Sequence, residues 1–340
     1  MAKFTNFSTF GNELYTGKRS YDIVGKRKIW FTIAAVMVLI SILSPILRGG
    51  FNLGIDFRGG SEFTVLKVTN LSVDTGTKAV TDVVPGQSPR VSVLSGNGIQ
   101  VQTDKLSDDE TIKVKDSLVK AYGVTSSDVA SSFVGPTWGA DVTKQALIGL
   151  IVFVVLATIL MALYFRTWKM SLAAVFGMLF VQVTTAGIYS ITNVEVTPSA
   201  IIGFLTILSY SLYDIVVVFD KIRENTSDIG TSTRRTFSSE VNLAVNQTLV
   251  RSINTSMVAL LPVASILFIG SFLLGAGTLR DLSLSLFIGI IMGGLTTVFI
   301  ASPLYAMLRQ NEPALAKQAE RVKARIAAET TKESAATASV

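Results

Sequence analysis

The chain has 340 residues, 49% of them hydrophobic and 16% charged, with a mean hydropathy of +0.51. That balance excludes a simple soluble globule with a solvated surface. It contains no histidine and no cysteine, which removes disulfides, thiolate nucleophiles, Cys/His zinc sites, His-ligated haem and Ser-His-Asp catalysis, and leaves proton chemistry to Asp, Glu, Lys, Arg or Tyr.

A bilayer core needs about 20 mostly apolar residues per helix, and six segments meet that need. An N-terminal segment, 1–28, ends in Lys26, Arg27 and Lys28 and leads into the first predicted span, 29–48. That run is too long for a signal-peptide core and no A-x-A-like site follows it, so it reads as an anchor. Further spans are predicted at 144–165, 169–191, 198–220, 251–274 and 282–308, with 221–250 as a connecting loop. The tail, 309–340, is polar; Lys317, Arg321, Lys323 and Arg325 lie among alanines, which predicts a solvated helix followed by disorder. With alternating spans, Lys26 to Lys28, Arg166, Lys169, Lys221, Arg223, Arg234 and Arg235 all fall on one side, and Arg280 is the exception. The positive-inside rule then predicts that both termini are cytoplasmic, and the net charge of +6 reads as orientation rather than nucleic-acid binding.

The polar insert, 49–143, is long enough for a modest core and is expected outside the cytoplasm. Its elements are a strand over 61–68, a helix over 74–84, and strands over 90–94 and 99–103 flanking the hairpin turn Ser95-Gly96-Asn97-Gly98. Ser107-Asp108-Asp109-Glu110 is a capping box that opens a helix with the stripe Ile112, Val114, Leu118 and Val119, and a last strand covers 129–134. The order β-α-β-β-α-β is the ferredoxin-like one.

Asp214 lies within the fourth span, where a carboxylate costs about 2.5 to 3.5 kcal/mol on insertion scales and must face protein or water. Thr206, Tyr210, Tyr213 and Asp214 recur at helical spacing as a polar stripe, so proton binding is expected there; the alternative is a neutral Asp that only joins helices. Asp220 stands roughly 9 Å further along the axis beside Lys221 and Arg223, either as an interfacial ion-pair or capping residue or as part of a proton path. Arg251 opens the fifth span and shares a face with Asn254, Thr255 and Val258; it suits an electrostatic partner for an acid, or else a positive-inside anchor. Asp281, next to Arg280, borders the sixth span, where an N-cap or loop salt bridge is the plain explanation. Gly289 and Gly293 permit close helix packing without indicating a partner. Gly54, Asp56, Gly59 and Gly60, in Gly54-Ile55-Asp56-Phe57-Arg58-Gly59-Gly60, stand just outside the first span, where glycines allow a tight reversal into the first strand. No phosphate loop, GxGxxG or metal-spaced cluster occurs, so no cofactor, metal or nucleotide hydrolysis is predicted, and no enzyme.

The glycine segment, the run from Tyr210 to Asn225, Arg251-Ser252-Ile253-Asn254-Thr255-Ser256 and Ala301-Ser302-Pro303-Leu304 together resemble the SecF family, the small-subunit side of the SecD–SecF protein-export factor. The resemblance implies a six-span half of a resistance-nodulation-division bundle with an extracytoplasmic ferredoxin-like domain, in the lipid of the bacterial cytoplasmic membrane. It implies pairing with SecD, work beside the SecY-SecE-SecG channel and YajC, and use of inward proton flow to move preprotein outward after the ATP-driven stage. Asp214 resembles the family's fourth-span proton-path acid, Arg251 its fifth-span basic residue, and Asp281 a third polar member. The sequence departs from the family at Tyr213 and Ile215, where Asn and Thr are frequent, and at Arg58, where Thr or Ser is usual. Other classes are an exporter of lipids or small molecules on the same superfamily fold, a passive translocon scaffold, and an intramembrane aspartyl protease. Tyr213-Asp214 is similar to the protease YD motif, but Gly275-Ala276-Gly277 is followed by Thr278 and not by the aspartate of G-x-G-D.

Overall fold

A computed structural model describes residues 4–94, 97–165, 167–230, 232, 234–273 and 277–337. Ser95 and Gly96 of the expected hairpin turn, Arg166, and Gly275 and Ala276 lie outside the described residues. Helix α1 (Phe4–Tyr15) precedes α2 (Arg27–Leu47), the first of six helices long and apolar enough to cross a membrane among the described residues. Next come the short α3 (Ile55–Arg58) and a small α+β domain. This domain consists of β1 (Gly60–Val65), α4 (Val73–Thr81), β2 (Arg90–Leu94), β3 (Gly98–Thr103), α5 (Asp108–Tyr122) and β4 (Val129–Val134).

The sheet is antiparallel throughout, in the order β2-β3-β1-β4, as the ferredoxin-like reading requires. One face is apolar: Phe63, Val65, Ile99 and Val101 are fully buried with Val114 and Leu118 of α5, each side chain contributing roughly 1.5 to 3 kcal/mol. The capping box forms, with Glu110 N–H donating to Ser107 Oγ at 3.3 Å and Ser107 N–H donating to Glu110 Oε2 at 2.8 Å. Gly123 ends the same helix in the left-handed region at φ 66°. The other face carries Glu62, Gln100 and Gln102 and looks into a cleft shared with the ends of the long helices.

The bundle follows: α6 (Pro136–Phe165), α7 (Trp168–Thr192), α8 (Pro198–Asn225), α9 (Phe237–Ser265), α10 (Gly277–Thr296) and α11 (Ser302–Arg309), with α12 (Pro313–Thr337) beyond. Asn193 closes α7 at φ 55°, and Thr197 caps α8, its hydroxyl accepting from Ala200 N–H ahead of Pro198 at the first turn. Helices α7, α8 and α10 form the interior, whereas α2, α6 and α9 are largely bare.

Two expected segments differ. The stretch 221–250, expected as a loop, is largely helical: α8 runs on to Asn225 and α9 begins at Phe237. The cause is a clasp from the N-terminal segment. Ile23 and Val24 N–H donate to Asn242 Oδ1 at 2.9 and 3.0 Å, and Tyr21 N–H donates to Asn246 Oδ1 at 2.7 Å. Likewise α6 starts at Pro136, inside the expected insert, because Gly139 lets the helix lie against the backbone of Phe57, where a Cβ would meet its carbonyl oxygen at 2.5 Å.

Helices α9 and α10 each pass into a π-turn, at Ile266–Leu273 and Thr297–Ala301. The second lies just before Pro303, which has no N–H for the ladder, and the Thr297 carbonyl accepts from both the Ser302 N–H and, at 2.8 Å, Ser302 Oγ.

Candidate functional site

Asp214 is 3% exposed and points from α8 toward α9 and α10. Ser252 Oγ, on α9, donates to Asp214 Oδ1 at 2.6 Å. Asp214 Oδ2 is buried without a protein partner, as is Ser211 Oγ one turn earlier. Thr297, fully buried at the start of the α10 π-turn, stands beside the carboxylate and directs its one hydroxyl hydrogen to the Gly293 carbonyl at 3.1 Å. A π-turn at such a point re-aims one side chain and is common at functional sites. The carboxylate therefore has one firm donor and one open oxygen, an arrangement able to take up and release a proton.

The expected stripe on α8 divides. Thr206 and Tyr213 are exposed on the outer side of the bundle, Tyr213 at 54%, while Asp214 faces inward and Tyr210 lies between, its hydroxyl 3.3 Å from Ser256 Oγ. Arg251 and Asn254 of α9 are exposed as well, and the guanidinium lies within electrostatic reach of Asp214 without an ion pair to it. Exposed Arg, Asn, Tyr and Thr side chains on membrane helices are costly against lipid. Asp220 is apart from this group and accepts from Tyr164 Oη at 2.6 Å, fastening the end of α6.

Asp281 does not meet Asp214. It accepts from Thr197 Oγ1 at 2.9 Å, joining the first turns of α8 and α10. Thr297 follows Asp281 by sixteen residues on the same helix, which is roughly 24 Å at 1.5 Å per residue. Between them α10 presents a small residue at every fourth position: Ser285, Gly289 and Gly293 lie against Gly203, Ile207 and Ser211 of α8. Gly289 and Gly293 thus have a partner within the chain.

A second polar group sits where the sheet meets the bundle. Gln102 Nε2 donates to Glu195 Oε1 at 2.7 Å and to Glu62 Oε2 at 3.1 Å, so one amide spans both carboxylates. Arg58 Nε donates to the Leu53 carbonyl at 2.8 Å. The glycine segment is threaded between these groups. Gly54 N–H donates to the Val196 carbonyl at 3.0 Å and Val196 N–H donates to the Asn52 carbonyl at 2.8 Å, a short parallel bridge. A Cβ on Gly54 would stand 2.7 Å from Glu195 Oε1, and one on Gly60, at φ 138°, 2.3 Å from the Thr103 carbonyl oxygen. Gly59 caps α3 at φ 76°. Burial raises the carboxyls of Asp56 and Glu195 above the usual range; at Glu195 the Gln102 hydrogen bond opposes this, as does Arg58, while Glu62 and Asp281 reinforce it. The adjoining cleft of about 1150 Å³ is lined by both signs of charge, including Arg48, Arg90, Glu62 and Glu195. Among the described residues no three acids converge as a metal site would require.

Sequence reasoning missed Ser252, Thr297 and Glu195. Ser252 adjoins Arg251 but one residue round the helix, on the buried face. Glu195 had a signal: an acid in the brief connection between two spans.

Among the described residues, six long apolar helices with a ferredoxin-like insert after the first define a half-bundle membrane protein. The family model "Protein export membrane protein SecD/SecF, C-terminal" matches residues 113–311, and the "SecD/SecF GG Motif" model matches residues 46–66. The protein translocase subunit SecF of Mycobacterium tuberculosis is 39% identical over 331 residues, covering 92% of this chain and 73% of that one. SecF of Streptomyces coelicolor is 40% identical over 321 residues, covering 94% and 85%. The crystal structure of SecDF from Thermus thermophilus, described as a translocon-associated membrane protein, superposes with a TM-score of 0.76 at 27% identity; the match covers 86% of this chain and 39% of the longer SecDF chain. The chain belongs to the SecD/SecF family of protein export membrane proteins, on its SecF side.

Proposed function

We propose that this chain is the SecF half of a proton-driven export factor, which with SecD uses the proton motive force to complete preprotein translocation after the ATP-driven stage. Membership of a family of protein translocase subunits supports the role in translocation. The existence of relatives in which both halves form one SecDF chain supports SecD as the partner, and so do the exposed polar side chains of Arg251, Asn254 and Tyr213, which a second half-bundle would cover. SecY-SecE-SecG, YajC and the preprotein belong to the same reading. So does the orientation, with both termini cytoplasmic and the sheet domain outside.

The observation that carries the proton step is the buried Asp214 carboxylate, with one hydroxyl donor and one open oxygen. Asp214 takes the proton, Arg251 biases its charge, and Asp281 marks the outer end of the route. Moving one charge through 100 mV releases about 2.3 kcal/mol, enough to shift a bundle poised between two packings. The test is preprotein export in inverted vesicles after the ATP-driven stage, with and without an uncoupler. Asp214→Asn is expected to be slow and uncoupler-insensitive while still assembling with SecD. Gradient-stimulated export at the wild-type rate by that variant would refute the reading.

A further inference from the structure

The α8–α10 seam is a ladder of matched levels. Going inward, Thr197 meets Asp281, Gly203 meets Ser285, Ile207 meets Gly289, Ser211 meets Gly293, and Asp214 meets Thr297. Both helices run in the same direction, so the four-residue steps of α10 meet successive turns of α8, ridge against groove. Four of the five levels carry a hydroxyl or carboxylate. The middle one carries none: the Ile207 side chain is fully buried and lies where any side chain on Gly289 would go, its Cδ1 being 2.1 Å from the position of an added Cβ.

A proton moves between fixed groups only through hydrogen-bonding atoms or water, and an apolar constriction excludes water. Outward of Ile207 lie Ser285 and Asp281. Inward lie Ser211 Oγ and Asp214 Oδ2, both buried without a protein partner and so open to water. The charged and titratable groups around Asp214 and the route are Arg251 from α9, Tyr210 from α8, Tyr189 from α7, Arg280 from α10 and, beside Asp281 at the outer end, Asp56, Glu62 and Glu195.

We propose that Ile207, seated against Gly289, is the seal between the outer and inner halves of a single proton route along the α8–α10 seam. The inference rests on the reading of Asp214 as the proton-binding acid. With only a hydrogen opposite it, the isoleucine closes the seam while α8 and α10 are in register, and a slide of one helix past the other withdraws it from its notch. While the helices are in register the seal keeps Asp214 from being wetted from the outside.

The test uses the protein assembled with its SecD partner in proteoliposomes holding a pH-sensitive dye, under an imposed gradient and without preprotein. Ile207→Ala is expected to dissipate the gradient about tenfold faster than wild type, as when part of a dehydration barrier is removed. Ile207→Thr, which keeps the branched shape and adds a hydroxyl, is expected to leak in the same direction, and it serves where the alanine variant fails to assemble. Adding Asp214→Asn to either variant is expected to stop the leak. Leu208→Ala, an equally buried site facing the other core, is expected to remain tight. The proposal is overturned if both Ile207 variants are tight, if their leak survives Asp214→Asn, or if Leu208→Ala leaks as fast. Tight Ile207 variants beside an export-defective Asp214→Asn would refute the seal alone. An Asp214-dependent leak beside normal export by Asp214→Asn would refute the export reading and leave the seal standing.

Discussion

Gly60→Ala separates two reasons for a glycine, backbone dihedral and close approach. At φ 138° Gly60 occupies a conformation L side chains rarely adopt, and holding alanine there costs about 1 to 3 kcal/mol. Its Cβ would also stand 2.3 Å from the Thr103 carbonyl oxygen, which belongs to the β1–β3 ladder at the Ser61–Thr103 pair and cannot retreat without breaking it. One or two ladder hydrogen bonds at about 1 kcal/mol each bring the expected loss to roughly 2 to 5 kcal/mol. The 75 residues from Gly60 to Val134 would have a stability of roughly 4 to 11 kcal/mol at 0.05 to 0.15 kcal/mol per residue, so this one methyl removes a large share. Gly123→Ala is the control: φ is 66° but nothing lies within 4 Å of the added Cβ, and the cost is about 1 to 2 kcal/mol. Hydrogen exchange of the β1 and β3 amides in the intact membrane protein reads the difference directly. Gly60→Ala should lose protection by more than about thirtyfold at tenfold per 1.4 kcal/mol, and clearly more than Gly123→Ala. Equal losses in the two variants would show that the Thr103 contact yields freely and would refute the close-approach argument.

Two further outcomes are expected. Burial raises the Glu195 carboxyl above its ordinary 4.5, so the docked junction binds the proton more tightly than an undocked, solvated Glu195 does, and docking weakens as pH rises from 4.5 through the raised value. Glu195→Gln keeps the acceptor for Gln102 and removes the charge facing Glu62 and Asp281, with Arg58, Arg90 and Arg280 nearby. It should flatten that pH dependence, as read by the distance between spin labels placed at the exposed Asp116 and Thr192 in a chain free of native cysteine; a wild-type pH profile in the variant would count against it. Ser252→Ala removes the donor to Asp214 Oδ1, a bond worth about 1.5 to 3 kcal/mol when the acceptor is charged. Gradient-stimulated export should fall several-fold with assembly intact and be restored by Ser252→Thr, whereas unchanged export in Ser252→Ala would mean that Asp214 functions without that donor.

The local signals in the sequence were strong where one element stabilises itself. The Ser107–Glu110 capping box and the hairpin signal between 90–94 and 99–103 need no distant partner, and they lead to the ferredoxin-like order found in the sheet. Length and hydropathy sufficed for the six long helices because a bilayer demands both. Segments decided by distant partners were illegible. The start of α9 is polar enough to read as loop, yet Asn242 and Asn246 are held by backbone more than two hundred residues earlier in the chain. Ser252 could not be ranked above Asn254, since only the rotation of α9 against α8 decides which one reaches Asp214. Gly289 had no meaning until Ile207 stood opposite it.

Three consecutive residues join the seam to the sheet domain. Thr197 caps α8 and donates to Asp281 of α10. Val196 pairs by backbone with Asn52 and Gly54 of the glycine segment. Glu195 accepts from Gln102 of β3. A slide of α8 against α10 therefore bears on the sheet domain: the Val196 link is backbone and the Thr197 side chain is short, while the Glu195–Gln102 hydrogen bond joins two longer side chains at the sheet itself. Glycine at position 54 is part of the same argument, because a Cβ there would stand 2.7 Å from Glu195 Oε1, the atom that accepts from Gln102, and the carboxylate would have to shift. The acid at the centre of the bundle and the domain beyond the membrane are thus connected through a chain of contacts each shorter than one helical turn, and the glycine motif is the point at which that chain passes from helix to sheet.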